Sequence, residues 1–389
     1  MLGSKLLPWD YGVRNLFRRP SRSALTFGGL TIVVLLVLVV VGFIRGLEKS
    51  LAATGNPNVV LVYSLSSAAD IENSSIPGST ASLLSASVDG VRRGHGVEYI
   101  SPELYLGTRI TTATVDEPGM GLVRGVTTNA PLVRDRVQIV EGFWPQAGEV
   151  LVGRLAHSKL GVQSDDLAVG SEISFDGKTW KVSGRFTAAG SAFESEVWAP
   201  LADLQTTLKR QDLSLVAVGM ESPQQVADVD MFCRERVDLE LKAVAESAYY
   251  AALQKHYKPV RMLGWVVVAL VAGSGIFAGL NTMYGAVVGR VRELATLQAM
   301  GYRRRAILLT LVQEATLLAC AAALIACVLG LLLVDGAAVR FTMGAFMLRV
   351  DSVGISVACT VAALLGVVGA IPPAAKAMRL PVVEAIKAI

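Results

Sequence analysis

The sequence predicts a membrane protein of four transmembrane α-helices, one followed by three, with a large α+β domain inserted between the first and second. Three observations predict it. The chain of 389 residues is 52% hydrophobic and only 17% charged, with a mean hydropathy of +0.51, whereas a soluble chain of this size carries roughly a quarter charged residues. The apolar residues are concentrated in four blocks, and a polar middle separates the first from the second. Lys and Arg gather at alternate ends of the blocks. This composition excludes collagenous, disordered and disulfide-framework proteins and argues against a cytosolic enzyme.

The first block runs from Ser23 to Ile44 without a charge, and the second runs likewise from Met262 to Gly289. The third, Ala306 to Val334, has Glu314 as its only charge, and the fourth, Ser352 to Ala375, has none. About 20 apolar residues cross a bilayer, so each block is long enough to span one. A cleaved signal peptide is the alternative for the first block, but an apolar signal core is only about 7 to 15 residues long and ends at small residues. This block is longer and runs into Arg45, which favours a retained span.

Orientation follows from the basic residues. Residues 1–22, an amphipathic N-terminal segment, carry Lys5, Arg14, Arg18, Arg19 and Arg22 against Asp10. The link at 290–305 carries Arg290, Arg292, Arg303, Arg304 and Arg305 against Glu293, and the tail at 376–389 carries Lys376, Arg379 and Lys387 against Glu384. The loop at 335–351 balances Arg340 and Arg349 with Asp335 and Asp351. The positive-inside rule therefore places both termini and the link 290–305 in the cytoplasm, and residues 45–261 outside. The three cytoplasmic segments hold 13 basic and 3 acidic residues, a net of +10, which leaves −6 for the rest of a chain whose total is +4. The basic side reflects topology and lipid headgroups and gives no indication of nucleic acid.

The outside region is large enough for one or two domains. It opens with a helical continuation (RGLEKSLAATG), broken at Gly55, Asn56 and Pro57 before a strand-like run, NVVLVYSL. Residues 66–90, rich in Ser, Ala and Gly, read as a loop. From about 97 to 200, short alternating runs are spaced by Gly, Asp and Pro, and Asp176-Gly177 in SFDGKTW marks a β-hairpin. LVAVGM at 215–220 reads as a strand, and Ser222-Pro223 then opens a helical run that could continue to Lys258.

No catalytic chemistry is legible. There is no G-x-x-x-x-G-K-[ST] to cradle a nucleotide and no G-x-S-x-G. Gly273, Ser274, Gly275 and Gly279 lie in the second block, where small residues let helices approach closely. His95, His157 and His256 are scattered, and Cys233, Cys320, Cys327 and Cys359 have no metal-ligand spacing. No cofactor is expected in this chain.

Two features of the third block and the link before it stand out. In GRVRELATLQAMGYRRRAILLTLVQEA, Leu294, Leu297 and Met300 or Gly301 share one helical face, while Arg292 and Glu293 lie elsewhere and Gly301 stops the helix. Such a stripe must be covered, either by lipid headgroups that Arg303, Arg304 and Arg305 favour, or by a partner protein. Glu314 lies about 13 Å from the nearer membrane edge by helical rise, where an ionisable group faces either a partner, with Asn281 or Thr282 in reach, or the surface by snorkelling.

These residues resemble the permease family that includes FtsX, the MacB macrolide exporter and the LolC/LolE lipoprotein-release subunits. The resemblance rests on Arg290, Glu293, Leu294, Leu297, Ala299, Met300 and Gly301, followed by Glu314 and Ala315. It extends to Arg14, Asn15, Leu16, Arg22, Leu25, Thr26 and Gly29 at the first span and to Pro373, Ala377, Arg379, Leu380, Pro381 and Ala385 at the end, although Leu380 stands where the family often has Asp. An FtsX-like permease domain would cover about 262–382. Between the spans, the match to a MacB-like periplasmic core domain is by layout and by the EVLVG to SGRF pattern.

The resemblance implies an ABC transporter permease in a bacterial inner membrane. MacB fuses its ATPase before the first span, and here only the segment 1–22 precedes that span, so a separate ATPase subunit, binding ATP and Mg, is expected. It also implies a second permease copy, identical or paralogous, and, for export, a periplasmic membrane-fusion protein. By the same resemblance Leu294, Leu297 and Met300 would be buried on the ATPase, Arg292 and Glu293 would form the polar rim, and ATP-driven motion of the external domain would export or extract a hydrophobic or amphipathic substrate such as a lipid, lipoprotein, peptide or drug. The alternative is an FtsX-like module that activates a cell-wall hydrolase without transport. The external domain is larger than that role requires.

Overall fold

A computed structural model describes residues 18, 20–67, 70–94, 96–342 and 344–377, without the side chains of Arg22, Asp116 and Ala377. It divides into a span unit (residues 1–45, 259–337 and 348–389) and an inserted unit (46–258 and 338–347).

In the span unit, four helices among the described residues are long and apolar enough to cross a membrane. They are α1 (Pro20–Thr54), α7 (Lys258–Val288), α9 (Arg304–Leu329, continued by a π-helical turn over Gly330–Val334) and α10 (Ser352–Ala377). Their apolar cores form helices because a chain in hydrocarbon must satisfy every backbone group internally. Small residues set the contacts. A Cβ on Gly275 of α7 would meet Val33 of α1 at 2.9 Å and Leu365 of α10 at 3.0 Å, and one on Gly366 of α10 would meet Thr316 of α9 at 3.0 Å. A Cβ on Gly264 of α7 would likewise meet Ile44 of α1 at 2.9 Å, whereas Gly273 and Gly279 face open space, so Gly264 and Gly275 fit the close-approach reading. Arg45 and Asp351 pair at 2.7 Å. Cys320 and Cys359 lie exposed on span helices.

The 35 residues of α1 extend about 50 Å, more than a hydrocarbon core of about 30 Å. Its last turns, from Gly46, belong to the inserted unit.

The inserted unit is built on a ten-stranded sheet. Its strands are β1 (Val59–Ser64), β2 (Ile100–Thr112), β3 (Val115–Val126), β4 (Gln138–Gly142), β5 (Glu149–Gly153), β6 (Glu172–Phe175), β7 (Lys178–Thr187), β8 (Val197–Pro200), β9 (Leu215–Gly219) and β10 (Leu241–Ala245). The order is β10-β1-β9-β2-β3-β8-β5-β7-β4, with β6 on β2 and β7. The 13-residue β2 joins two lobes, pairing with β9 through Ile100–Glu103 and with β3 from Leu104 onward. One lobe packs Val60, Leu84, Val216, Val218 and Phe232. The other packs Leu104, Val150, Ile173, Trp180 and Val197, with Phe175 and Trp180 stacked at 5.0 Å. The hairpin β6–β7 turns at Asp176 (φ 51°) and Gly177 (φ 73°) as its sequence dictates.

Three expectations are corrected. Residues 66–90 carry structure: helix α2 (Thr80–Ser87) buries Thr80 and Leu84, and Ile76 bridges to Leu213. Small residues there fit close packing. The run 222–258 is not one helix but α5 (Val226–Glu235), β10 and α6 (Glu246–His256). Helix α5 ends before Glu240 takes φ 48°, and β10 then completes the edge of the sheet beside β1, so strand pairing overrides helix propensity. The loop expected at 335–351 also contains a hairpin, β11 (Ala338–Phe341) and β12 (Gly344–Met347), which groups with the inserted unit. Lys159 donates to the Thr342 carbonyl at 2.5 Å, fixing it there.

Candidate functional site

The link between α7 and α9 contains one short helix, α8 (Val291–Ala299). Gly301, at φ 92° with nothing near a would-be Cβ, reverses the chain after it, and Tyr302 N–H closes onto the Leu297 carbonyl at 3.2 Å. The apolar stripe turns inward. Leu294 is 2% and Leu297 8% exposed, packed with Val287, Ile307, Leu311 and Ala374 of the chain's own helices. This corrects the expectation that both leucines lie on a partner. An apolar stripe needs covering, and neighbouring spans supply the cover. The outer face of α8 presents Arg292, Glu293 and Thr296, with Met300 just beyond it 62% exposed. Arg303, Arg304 and Arg305 follow, all exposed.

Glu314 of α9 is held by Arg290, the residue that caps α8. The guanidinium Nη1 lies 3.1 Å and 3.4 Å from the two carboxylate oxygens, and its Nε lies 3.5 Å from Glu293. Asn281 is exposed and makes no hydrogen bond among the described residues. The inter-helix contact therefore has a basic partner, where the sequence suggested Asn281 or Thr282; the hairpin α8–α9 folds Arg290 back over 24 residues. Of the N-terminal arginines, Arg18 is exposed, Arg14 and Arg19 lie outside the described residues, and the closing segment beyond Ala377 does so as well.

The inserted unit buries a cluster of charged side chains drawn from segments far apart in the chain. Arg124 of β3 donates to Glu103 at 2.5 Å, to Glu196 at 2.7 Å and 2.5 Å, and to the Tyr105 hydroxyl. Arg134 reaches Glu103 at 3.2 Å and 3.3 Å and also Glu246. Trp198 Nε1 donates to Glu196 at 2.9 Å, and the Asn56 N–H, just beyond α1, donates to Glu246 at 3.1 Å. Phe193 lies under both guanidinium groups, 4.8 Å from Arg124 and 5.0 Å from Arg134. Burial alone would raise the Glu103 carboxyl, but Arg134 and then Arg124 hold it below its ordinary value. Burial likewise opposes the charge on Arg124, and Glu196, Tyr105 and Glu103 outweigh it. Every charge is answered, so the cluster fastens β2, β3, α6 and the end of α1 together and leaves no group poised to react. The only sequence signal was charge in otherwise apolar strands, in ISPELYL and GLVRGV.

No group of His, Cys, Asp and Glu among the described residues could hold a metal ion. The Cys233 thiol is buried and pushed up to about 12 by that burial. His157 bonds the Arg154 carbonyl at 2.9 Å, and His95 lies outside the described residues.

Residues 23–231 match the MacB-like periplasmic core domain and residues 265–382 the FtsX-like permease C-terminal domain. The chain is similar to the periplasmic region of MacB from Actinobacillus actinomycetemcomitans, with 9% identity over 54% of this chain and 97% of that one, at a TM-score of 0.39. It is also similar to the extracellular domain of the ABC-type transporter YknZ from Gram-positive bacteria, with 16% identity over 48% and 100% and a TM-score of 0.36. No curated protein matches the sequence. With more than half its length matched by the core domain and most of the remainder by the permease domain, the chain belongs to the FtsX/MacB-type ABC transporter permease family, whose members work with an ABC ATPase.

Proposed function

We propose that this chain is the membrane subunit of an ABC transporter in the bacterial inner membrane, with both termini and α8 in the cytoplasm and the inserted unit on the other side. Members of the family work with an ABC ATPase, and that ATPase is taken as the partner of α8. The observation that carries the coupling role is the two-sidedness of α8. Leu294 and Leu297 anchor it to the spans, while Arg292, Glu293 and Met300 form the outer face on which the ATPase docks. A helix clamped on one side and docked on the other passes ATPase closure directly to α7 and α9. A second permease copy, identical or paralogous, and lipid cover apolar span surface such as Leu263, Leu270 and Phe277 of α7, each more than 60% exposed. Transport of an amphipathic or hydrophobic molecule, assisted by a membrane-fusion protein, is favoured over hydrolase signalling by the two-lobed size of the inserted unit.

The docking test separates the two faces of α8. Met300→Glu and Arg292→Glu are expected to remove at least nine-tenths of the ATPase that co-purifies with the chain, with no change in thermal midpoint. Leu297→Ala, by contrast, should destabilise the span unit by about 2 kcal/mol or more. Retention of the ATPase by both outer-face variants would place its docking site elsewhere.

A further inference from the structure

The inserted unit contains a cavity of about 140 Å³ between the end of α1, the β2–β3 hairpin, α6 and the β11–β12 hairpin. Most of its wall is hydrocarbon, including Leu47, Leu51, Leu122 and Leu253. An engineered apolar cavity of about 150 Å³ accepts benzene, so this one has room for a ring or a short alkyl chain.

The polar part of the wall is not symmetric in charge. Arg124 reaches the cavity, but its donors are committed to Glu103, Glu196 and Tyr105. Glu72 also lines the cavity and has neither a hydrogen bond nor an ion pair to its carboxylate among the described residues. Burial raises its carboxyl, Asp70 and Glu196 raise it further, and Lys159 and Arg124 oppose them without prevailing. Glu72 is thus a carboxylate short of a cation. Beside it the rings of Tyr249 and Tyr250 meet edge to face at 5.2 Å, and neither hydroxyl has a hydrogen-bond partner among the described residues. Burial lifts Tyr249 to about 12 and Tyr250 higher still, so both hydroxyls keep their protons and remain able to accept from a donor in the cavity. A carboxylate ligand would find no uncommitted cation here, and a purely apolar one would leave Glu72 desolvated and unanswered.

We infer that this cavity binds a small cationic amphiphile, an ammonium on a hydrocarbon of about six to eight carbons, with the nitrogen at Glu72 and the two tyrosine hydroxyls and the hydrocarbon against the leucines. The site is independent of where the ATPase docks, so its failure would leave the coupling reading untouched.

The test uses the full chain in detergent without ATPase and follows hexylammonium, phenethylammonium, hexanol and hexanoate by saturation-transfer NMR. Because all variants share one detergent, partition into micelles cancels in the comparison. The two ammonium probes are expected to bind and hexanoate not to. Glu72→Gln should weaken the ammonium probes about tenfold and abolish their advantage over hexanol. Leu253→Trp, on the half-buried side of α6, should fill the cavity and block both, and Tyr250→Phe provides a milder variant that keeps the ring. Thermal midpoints verify that each variant folds. Equal binding of hexylammonium and hexanoate, or ammonium binding that survives both Glu72→Gln and Leu253→Trp, would overturn the assignment.

Discussion

The span unit and the inserted unit each bury arginine against glutamate, but on different scales. In the spans Arg290 pairs with Glu314 at 3.1 Å, with side chains 8% and 16% exposed. In the inserted unit two arginines and three glutamates interlock at 0–5% exposure. The first pair joins residues 24 apart across one helical hairpin, whereas Arg134 and Glu246 are 112 apart. A pair made by a hairpin needs only that hairpin to form. A cluster drawn from four distant segments exists only when the whole sheet is in place, and it then makes their positions mutually dependent. The span pair is therefore suited to holding α8 against α9, and the cluster to holding distant segments of the inserted unit together.

The largest effect should come from breaking the cluster. Arg124→Met leaves Glu196 without an ionic partner at a buried position, and the inserted unit should lose about 3 to 5 kcal/mol. Fluorescence of Trp198, which donates to Glu196, reports its unfolding, and a loss under about 1 kcal/mol would mean that the charges are solvated. Breaking the span pair should cost less. Arg290→Leu or Glu314→Leu is expected to lower stability by about 2 kcal/mol, and the double variant should lose less than the sum of the two, as detergent unfolding in a double-mutant cycle would measure. Additive losses would show that the pair contributes no coupling between α8 and α9.

The smallest effect is on pH dependence. Glu103 is held below its ordinary value of 4.5, so its contribution is fully present above that value and is lost as pH falls through the lower folded one. The Trp198 transition should therefore fall on acidification below pH 4.5, and Arg134→Gln should flatten that dependence by weakening the hold on Glu103. An unchanged acid profile in that variant would assign the dependence to other carboxyls.

Much of the architecture was legible because it rests on local rules. Long apolar runs announced the spans, Asp176-Gly177 announced its hairpin, and Gly301 announced the end of α8. Where contacts from far along the chain decided, local reading failed. Residues 222–258 look helical throughout, yet β1 offers an open edge, and Leu241–Ala245 pairs with it. Glu314 was visible as an anomaly in its span, but its partner was not, because a carboxylate inside a helix shows that it needs a cation without showing which of several arginines the hairpin will bring.

The sequence by itself determined the four spans, the size and α+β nature of the inserted unit and the family motif at α8. Those depend on the length of apolar runs and on the local needs of backbone hydrogen bonding, which each segment states for itself. Only the tertiary structure decided that Leu294 and Leu297 face inward and leave Met300 outside, which charges neutralise one another, and that Glu72 remains unanswered beside a cavity. An amphipathic stripe or a buried charge specifies that it must be covered; the packing of distant segments specifies by what.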